Sequence, residues 1–298
     1  MYNSKKDYAS DESDIMNYYH EEDYPPDDYV STNQNNIFVK RIDCWEDTVK
    51  LCQSFENTIK SEKVVFTDKK LIPTINKSKI YLFNQDTIDC AINWKLSKWN
   101  PLVLNLSDDI FAGGWVSSGS GAQEESLFRR TDYYKTLLQS FYPILNNEAI
   151  YSPKVSVLKT SEKTDWKILK KHEIVTLSFI ACPAIKYPDT VRIDDERLLN
   201  DSDVQILKKK IALIIQTAAI HNHDTIIFGA MGCGAWKNPI RHVAKVFKEV
   251  LKEYDGLVLN YVFSIMTTTD DNYIIRDHDQ DKHSSFDIFS QVLNDVLL

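Results

Sequence analysis

Two adjacent carboxylates, Glu124 and Glu125, directly follow a glycine- and serine-rich stretch, so that Phe111 to Arg130 reads FAGGWVSSGSGAQEESLFRR. The chain holds eight glycines: Gly113, Gly114, Gly119 and Gly121 lie in this stretch, Gly229, Gly232 and Gly234 in a second cluster (FGAMGCGAWKN), and Gly256 stands alone. Glycine adds entropy to the unfolded chain and no packing to the folded one. A chain that places seven of its eight glycines in two short loops therefore needs its backbone close to something there. Bare N–H groups ahead of a helix make an anion site, and Glu124 and Glu125 sit beside the first of the two.

Both loops fall where a strand hands over to a helix. Leu102 to Leu106 is a short apolar run that suits a strand buried on both faces, and the first loop leaves its C-terminal end. Thr225 to Phe228 is a second such strand and delivers the second loop, after which Asn238-Pro239 reads as N-cap and first helical residue. Strand, glycine-rich loop and helix form the usual phosphate geometry of an open α/β sheet. Neither loop has the G-x-x-x-x-G-K-[ST] pattern of a P-loop or the G-x-G-x-x-G spacing of a nicotinamide dinucleotide site. A diphosphate remains as the ligand, with paired carboxylates at one end.

The remaining elements follow from periodicity. Trp45, Val49, Cys52, Phe55 and Ile59 predict a helix begun by Asp43 and Glu46 as a capping box. KVVFT (63–67) and KIYLF (79–83) predict strands, and Asp86 caps a helix facing inward through Ile88, Ile92 and Leu96. Leu127, Thr131, Tyr134, Leu138 and Phe141 predict one helix after the first loop. A turn at Tyr151-Ser152-Pro153, strands over 155–158 and 174–182, and a polar loop over 186–201 come next. A long helix follows through Val204, Leu207, Ile211, Ile214, Ile215 and Ala218. After the second loop come a helix through Ile240, Val243, Phe247, Val250 and Leu251, a strand over 257–266, a polar loop over 267–283 and a last helix through Phe286, Phe289, Leu293 and Val296.

Composition excludes several classes. No apolar run approaches the roughly 20 residues that span a bilayer, and no signal peptide is visible, so no membrane association is expected. The five cysteines (Cys44, Cys52, Cys90, Cys182, Cys233) contain no C-x-x-C pair, which points to an intracellular, reducing compartment, cytoplasmic or nuclear, and to no zinc ribbon. Residues 1–35 carry nine acids against two lysines and include six tyrosines, and are expected to form a disordered acidic tail. The remaining 33 basic and 34 acidic side chains nearly cancel, so no nucleic-acid partner is expected. Residues 36–298 are expected to form a single α/β domain.

The order of these segments resembles the microbial-type poly(ADP-ribose) glycohydrolases, a branch of the macrodomain fold. Their signature is a GGG-type loop followed after six to eight residues by QEE; here Gly113-Gly114 precedes Gln123-Glu124-Glu125. Further matches are NQDTIDCA (84–91), VLNL (103–106), Tyr151-Ser152-Pro153, ACPA (181–184), GAMGCGAWKNP (229–239) and VFSI (262–265). The chain departs from the family where the usual Asn-Pro-Gly-Gly-Gly becomes Phe111-Ala112-Gly113-Gly114-Trp115, at the distal ribose pocket.

The resemblance implies a three-layer α/β/α macrodomain-like fold with a central mixed sheet and an N-terminal helical extension. It implies a hydrolase that cleaves the ribose–ribose bond of ADP-ribose polymers, or removes ADP-ribose from ADP-ribosylated proteins. A non-catalytic ADP-ribose reader and a hydrolase of other ADP-ribose derivatives are the alternatives. Glu125 takes the place of the general acid and Glu124 that of a ribose holder. Gly113, Gly114, Gln123 and Asn105 fall around the ligand, as does Asp86, at the position of the aspartate that receives the adenine amino group. Gly232, Cys233, Gly234 and Ala235 would give N–H groups to the diphosphate and Trp236 would cover ribose or base. No cofactor or metal is expected. His221 and His223, though spaced as H-x-H, are read as diverging, exposed side chains, and a monomer is expected.

Overall fold

The computed structural model describes residues 32–53, 60–194, 196–267 and 284–294. Its centre is a seven-stranded mixed sheet. The strands are β1 (Glu62–Val65), β2 (Lys79–Phe83), β3 (Pro101–Asn105), β4 (Glu148–Val157), β5 (Val175–Ala181), β8 (Thr225–Phe228) and β9 (Asn260–Ser264), in the order β1-β4-β5-β3-β8-β9-β2. From β5 to β2 every pairing is parallel, and β4 pairs antiparallel to both β5 and β1. A separate hairpin joins β6 (Thr190–Ile193) to β7 (Glu196–Leu199).

Side-chain alternation along the central strands builds two apolar layers. Leu102, Leu104, Ile226, Phe228, Tyr261 and Phe263 point to one face, where α4 (Asp201–Ile220), α5 (Ile240–Glu253) and α6 (Ser285–Asn294) pack. Val103, Ile227 and Val262 point to the other, with α2 (Thr87–Leu96) and α3 (Gln123–Arg130). α1 (Thr32–Cys52) packs against α3 and the first glycine loop. The result is the expected three-layer fold with its N-terminal helix. Since β5, β3, β8, β9 and β2 are parallel, their C-terminal ends share one edge, and both glycine loops open there.

Several elements differ from the sequence reading, each for a local reason. α1 begins at Thr32, well before Asp43, so Asp43 and Glu46 lie inside the helix rather than at its cap, and its first turn falls within the segment expected to be a disordered tail. Phe55 and Ile59 lie outside the described residues, as do residues 1–31, 268–283 and Val296. Leu96 is 65% exposed, and Cys90 and Ala91 share the inner face of α2 with Ile88. The helix expected to run through Phe141 stops at Arg130. Thr131 turns extended and bridges Val157, and the Arg130 carbonyl accepts from Leu158 and Lys159. Leu138, expected inside, is 48% exposed.

The Tyr151-Ser152-Pro153 turn proves to be an irregularity within the long strand β4, with Lys154 at φ 55°. The polar loop over 186–201 contains the β6–β7 hairpin. No helix of the described residues is long and apolar enough to cross a membrane.

Candidate active site

The end of β3 and the start of α3 are stitched together by side chains. Gln123 donates from Nε2 to the Leu104 carbonyl (2.8 Å) and accepts at Oε1 from the Leu106 N–H (2.8 Å), continuing the ladder of β3 for one more residue. This places Gln123, expected around the ligand, as the brace between strand and helix.

Glu124 comes next and is buried. Its Oε1 accepts from Asn105 Nδ2 (3.1 Å) and the Gly113 N–H (3.2 Å), and its Oε2 from the Asp108 N–H (2.6 Å). Burial pushes the Glu124 carboxyl well above the usual carboxylate range, against the pull of the donors from Asp108 and Asn105. A carboxylate offers about four acceptor positions, so three bonds leave room for one more donor.

Glu125 differs from its neighbour. Oε1 accepts from the Trp115 N–H (3.1 Å), whereas Oε2 is buried with no hydrogen-bond partner among the described residues. A buried polar atom left unsatisfied in a folded protein calls for a functional or structural reason. Both glutamates occupy the first turn of α3, where the helix dipole favours negative charge.

These bonds revise the role expected of the first glycine loop. The N–H groups of Gly113 and Trp115 hold the two carboxylates, and that of Gly114 bonds the Phe111 carbonyl (3.1 Å). The loop therefore acts as a cradle for its own glutamates. Gly114 is required there: at φ +55°, a Cβ would lie 2.7 Å from Glu125 Oε1. Gly119 serves packing, since a Cβ on it would lie 2.7 Å from the Phe38 carbonyl oxygen of α1.

In the second loop, the Cys233 N–H bonds the Ala230 carbonyl (3.1 Å) and its side chain is buried, so Cys233 shapes the turn. Gly234 and Ala235 are exposed and Trp236 is half-buried. Asn238, expected as an N-cap, instead donates from Nδ2 to the carbonyls of Ile185 (2.7 Å) and Gly232 (3.1 Å), and the cap of α5 is Pro239. Asp86 caps α2 through a bond from the Asp89 N–H (3.0 Å) and pairs with the fully buried Arg130 (2.6 Å). It stands past the end of β2, on the edge that carries both loops.

Two residues that the sequence reading passed over tie the loops together. Asp108 Oδ1 accepts from the N–H groups of Ile110 (2.7 Å) and Phe111 (2.9 Å), folding the first loop, while Oδ2 receives Lys186 Nζ (2.8 Å). Lys186 also pairs with Asp109 and stands 5.3 Å above the Trp236 ring centroid. Burial works against its charge, but Asp108 and Asp109 together hold the ammonium above the ordinary lysine value. The SDDI run after the strand is a signal for the Asp108 turn. Nothing local marks Lys186, because its partner Asp108 lies 78 positions away.

His221 and His223 are not exposed, diverging side chains. Both rings meet Tyr151, His221 stacked at 3.9 Å and His223 bonded to its hydroxyl at 3.0 Å. Among the described residues no group of three or more His, Cys, Asp or Glu side chains is placed to hold a metal ion.

Residues 39–160 match the family model "Microbial-type PARG, catalytic domain". Among solved structures, poly(ADP-ribose) glycohydrolase from Thermomonospora curvata is 18% identical with a TM-score of 0.68, the match covering 85% of this chain and 99% of that one. The same enzyme bound to the inhibitor ADP-HPD gives 19% identity and 0.66, with 85% and 99% covered. Poly(ADP-ribose) glycohydrolase from Deinococcus radiodurans in complex with ADP-ribose gives 16% and 0.59, with 88% and 93% covered. At these identities the structural likeness establishes a shared fold. No match is found among curated proteins.

Proposed function

We propose that this chain, which matches the microbial-type PARG catalytic domain over residues 39–160, is a glycosidase that hydrolyses the ribose–ribose bond of poly(ADP-ribose). The observation that carries the reading is the buried, unpartnered Oε2 of Glu125 beside a Glu124 already held by three donors. Residues 36–298 form the catalytic unit.

Opening a glycosidic bond through an oxocarbenium-like transition state needs a proton on the leaving oxygen and then an activated water at the anomeric carbon. Glu125 supplies both in turn. Its protonated carboxyl gives the proton to the bridging oxygen as the C–O bond breaks. The resulting carboxylate then takes a proton from the water that adds to the anomeric carbon, which restores the acid and releases ADP-ribose. The Trp115 N–H fixes Oε1 and thereby directs Oε2. Glu124 receives a ribose hydroxyl at its remaining acceptor position and orients the sugar.

The diphosphate lies against the second loop, where Gly234 and Ala235 are exposed, with Trp236 over the adjoining ribose or base. Asp86, on the same edge, receives the adenine amino group. The reading is tested by incubating the purified protein with labelled polymer and following free ADP-ribose by chromatography. Time-dependent release of ADP-ribose is expected; binding of polymer without release would make the protein a reader instead.

A further inference from the structure

Three large apolar side chains stand out of the loop that holds Glu125: Ile110, Phe111 and Trp115 are 44%, 43% and 40% exposed. The rings of Phe111 and Trp115 face each other at 5.9 Å between centroids and 59° between planes. Exposed aromatic surface on a folded protein has a cost, and clustered exposure marks a contact site.

The backbone beneath these rings is pinned at every step. The Phe111 N–H bonds Asp108 Oδ1 (2.9 Å), and the Phe111 carbonyl receives the Gly114 N–H (3.1 Å). Gln139 holds the Ile110 carbonyl (2.7 Å) and the Ala112 N–H (3.0 Å). Trp115 gives its N–H to Glu125 and receives those of Ser118 (3.1 Å) and Ser120 (3.3 Å) on its carbonyl. Rings fixed to a rigid turn lose little freedom on binding, which is how aromatic anchors act at binding sites.

We infer that Phe111 and Trp115 form a stacking platform for the purine base of the polymer unit next to the one being released. The inference rests on the reading of the site as a polymer glycosidase. In such a polymer each unit carries an adenine, and the bond at Glu125 joins the unit in the cleft to its neighbour. The Trp115 backbone N–H holds the Glu125 carboxyl that would act on that bond, and the Trp115 side chain is partly exposed. A base is the part of the neighbouring unit that stacks on aromatic faces. The platform makes the enzyme prefer polymer to a single unit.

The test compares the wild type with Phe111→Ala, Trp115→Ala and the double variant on long polymer, alongside the Kd of each for free ADP-ribose. In the double variant the ratio of polymer kcat/KM to ADP-ribose affinity falls about 5- to 150-fold, the range for one lost base–aromatic stack. The fall lies mainly in KM, and the ring-preserving pair Phe111→Tyr with Trp115→Phe restores most of it. A ratio within twofold of the wild type, or polymer KM and ADP-ribose Kd rising in parallel, overturns the platform. If the wild type releases no ADP-ribose, the glycosidase reading fails, and the same variants are read by polymer binding alone. The platform then stands only if the wild type binds polymer more tightly than ADP-ribose and the double variant loses that excess.

Discussion

Lys186 Nζ lies 2.8 Å from Asp108 Oδ2, so a cation that follows β5 closes onto the loop that follows β3. The same ammonium faces the Trp236 ring in the second glycine loop. The two loops are thus held in register by one side chain. Lys186→Ala is expected to weaken ADP-ribose binding about 5-fold, equivalent to roughly 1 kcal/mol, a modest loss because the pair is part-exposed. Lys186→Arg retains more than half of the affinity. Titration calorimetry on the three proteins checks this, and an unchanged Kd in Lys186→Ala refutes the role.

Gly114 is predicted to separate folding from chemistry. An alanine there adopts a left-handed backbone at about 1–2 kcal/mol and pushes against Glu125 Oε1. Displacing a catalytic group by even about 1 Å costs on the order of 100-fold in rate. Gly114→Ala therefore keeps a cooperative unfolding transition and loses most of its kcat, as thermal melts and steady-state assays on one preparation will show.

Asn105 reports on the charge of Glu124. Removing its donor with Asn105→Ala costs about 1–3 kcal/mol, the range for a buried group left without one of its partners. Asn105→Asp costs more at neutral pH, since it sets a second buried carboxyl against Glu124. Protonation of that pair relieves the repulsion, so the gap between the two variants narrows as the pH falls. Urea denaturation at two pH values measures both effects, and a gap independent of pH contradicts the burial argument.

His223 sets a pH limit on stability. It sits between the Asn100 carbonyl and the Tyr151 hydroxyl, each at 3.0 Å, an arrangement that suits a neutral ring donating from Nδ1 and accepting at Nε2. Burial lowers its pKa, and the Asn100 carbonyl offsets this only in part. The unfolded value is about 6.5. With the folded value depressed, the contribution is present above the unfolded pKa and is lost as pH falls through the folded one. The Tm difference between wild type and His223→Gln is expected to shrink as the pH falls from about 7.5 to about 5.

Much of this site is legible in the sequence because its parts are local. Glu124 and Glu125 share one helical turn with the Gln123 brace, and the glycines that surround them are adjacent. The buried strands β3 and β8 carry continuous apolar runs, which makes both loops visible as strand ends. What sequence periodicity missed depends on partners distant in the chain. The helix after the loop stops at Arg130 because Leu158 and Lys159 take up its carbonyl. The amides of Gly113 and Trp115 turn inward because the carboxylates eleven and ten residues on reach back to them. Lys186 and Asn238 act across loops that only the folded sheet edge brings together.

In the proposed reaction Glu125 Oε2 moves the proton. The direct measurement is release of ADP-ribose from polymer by Glu125→Gln beside the wild type, with binding of free ADP-ribose as the control. Loss of a general acid–base group predicts a fall in kcat of about 100- to 10,000-fold with ADP-ribose binding kept within a few fold. Full turnover by Glu125→Gln would contradict the account.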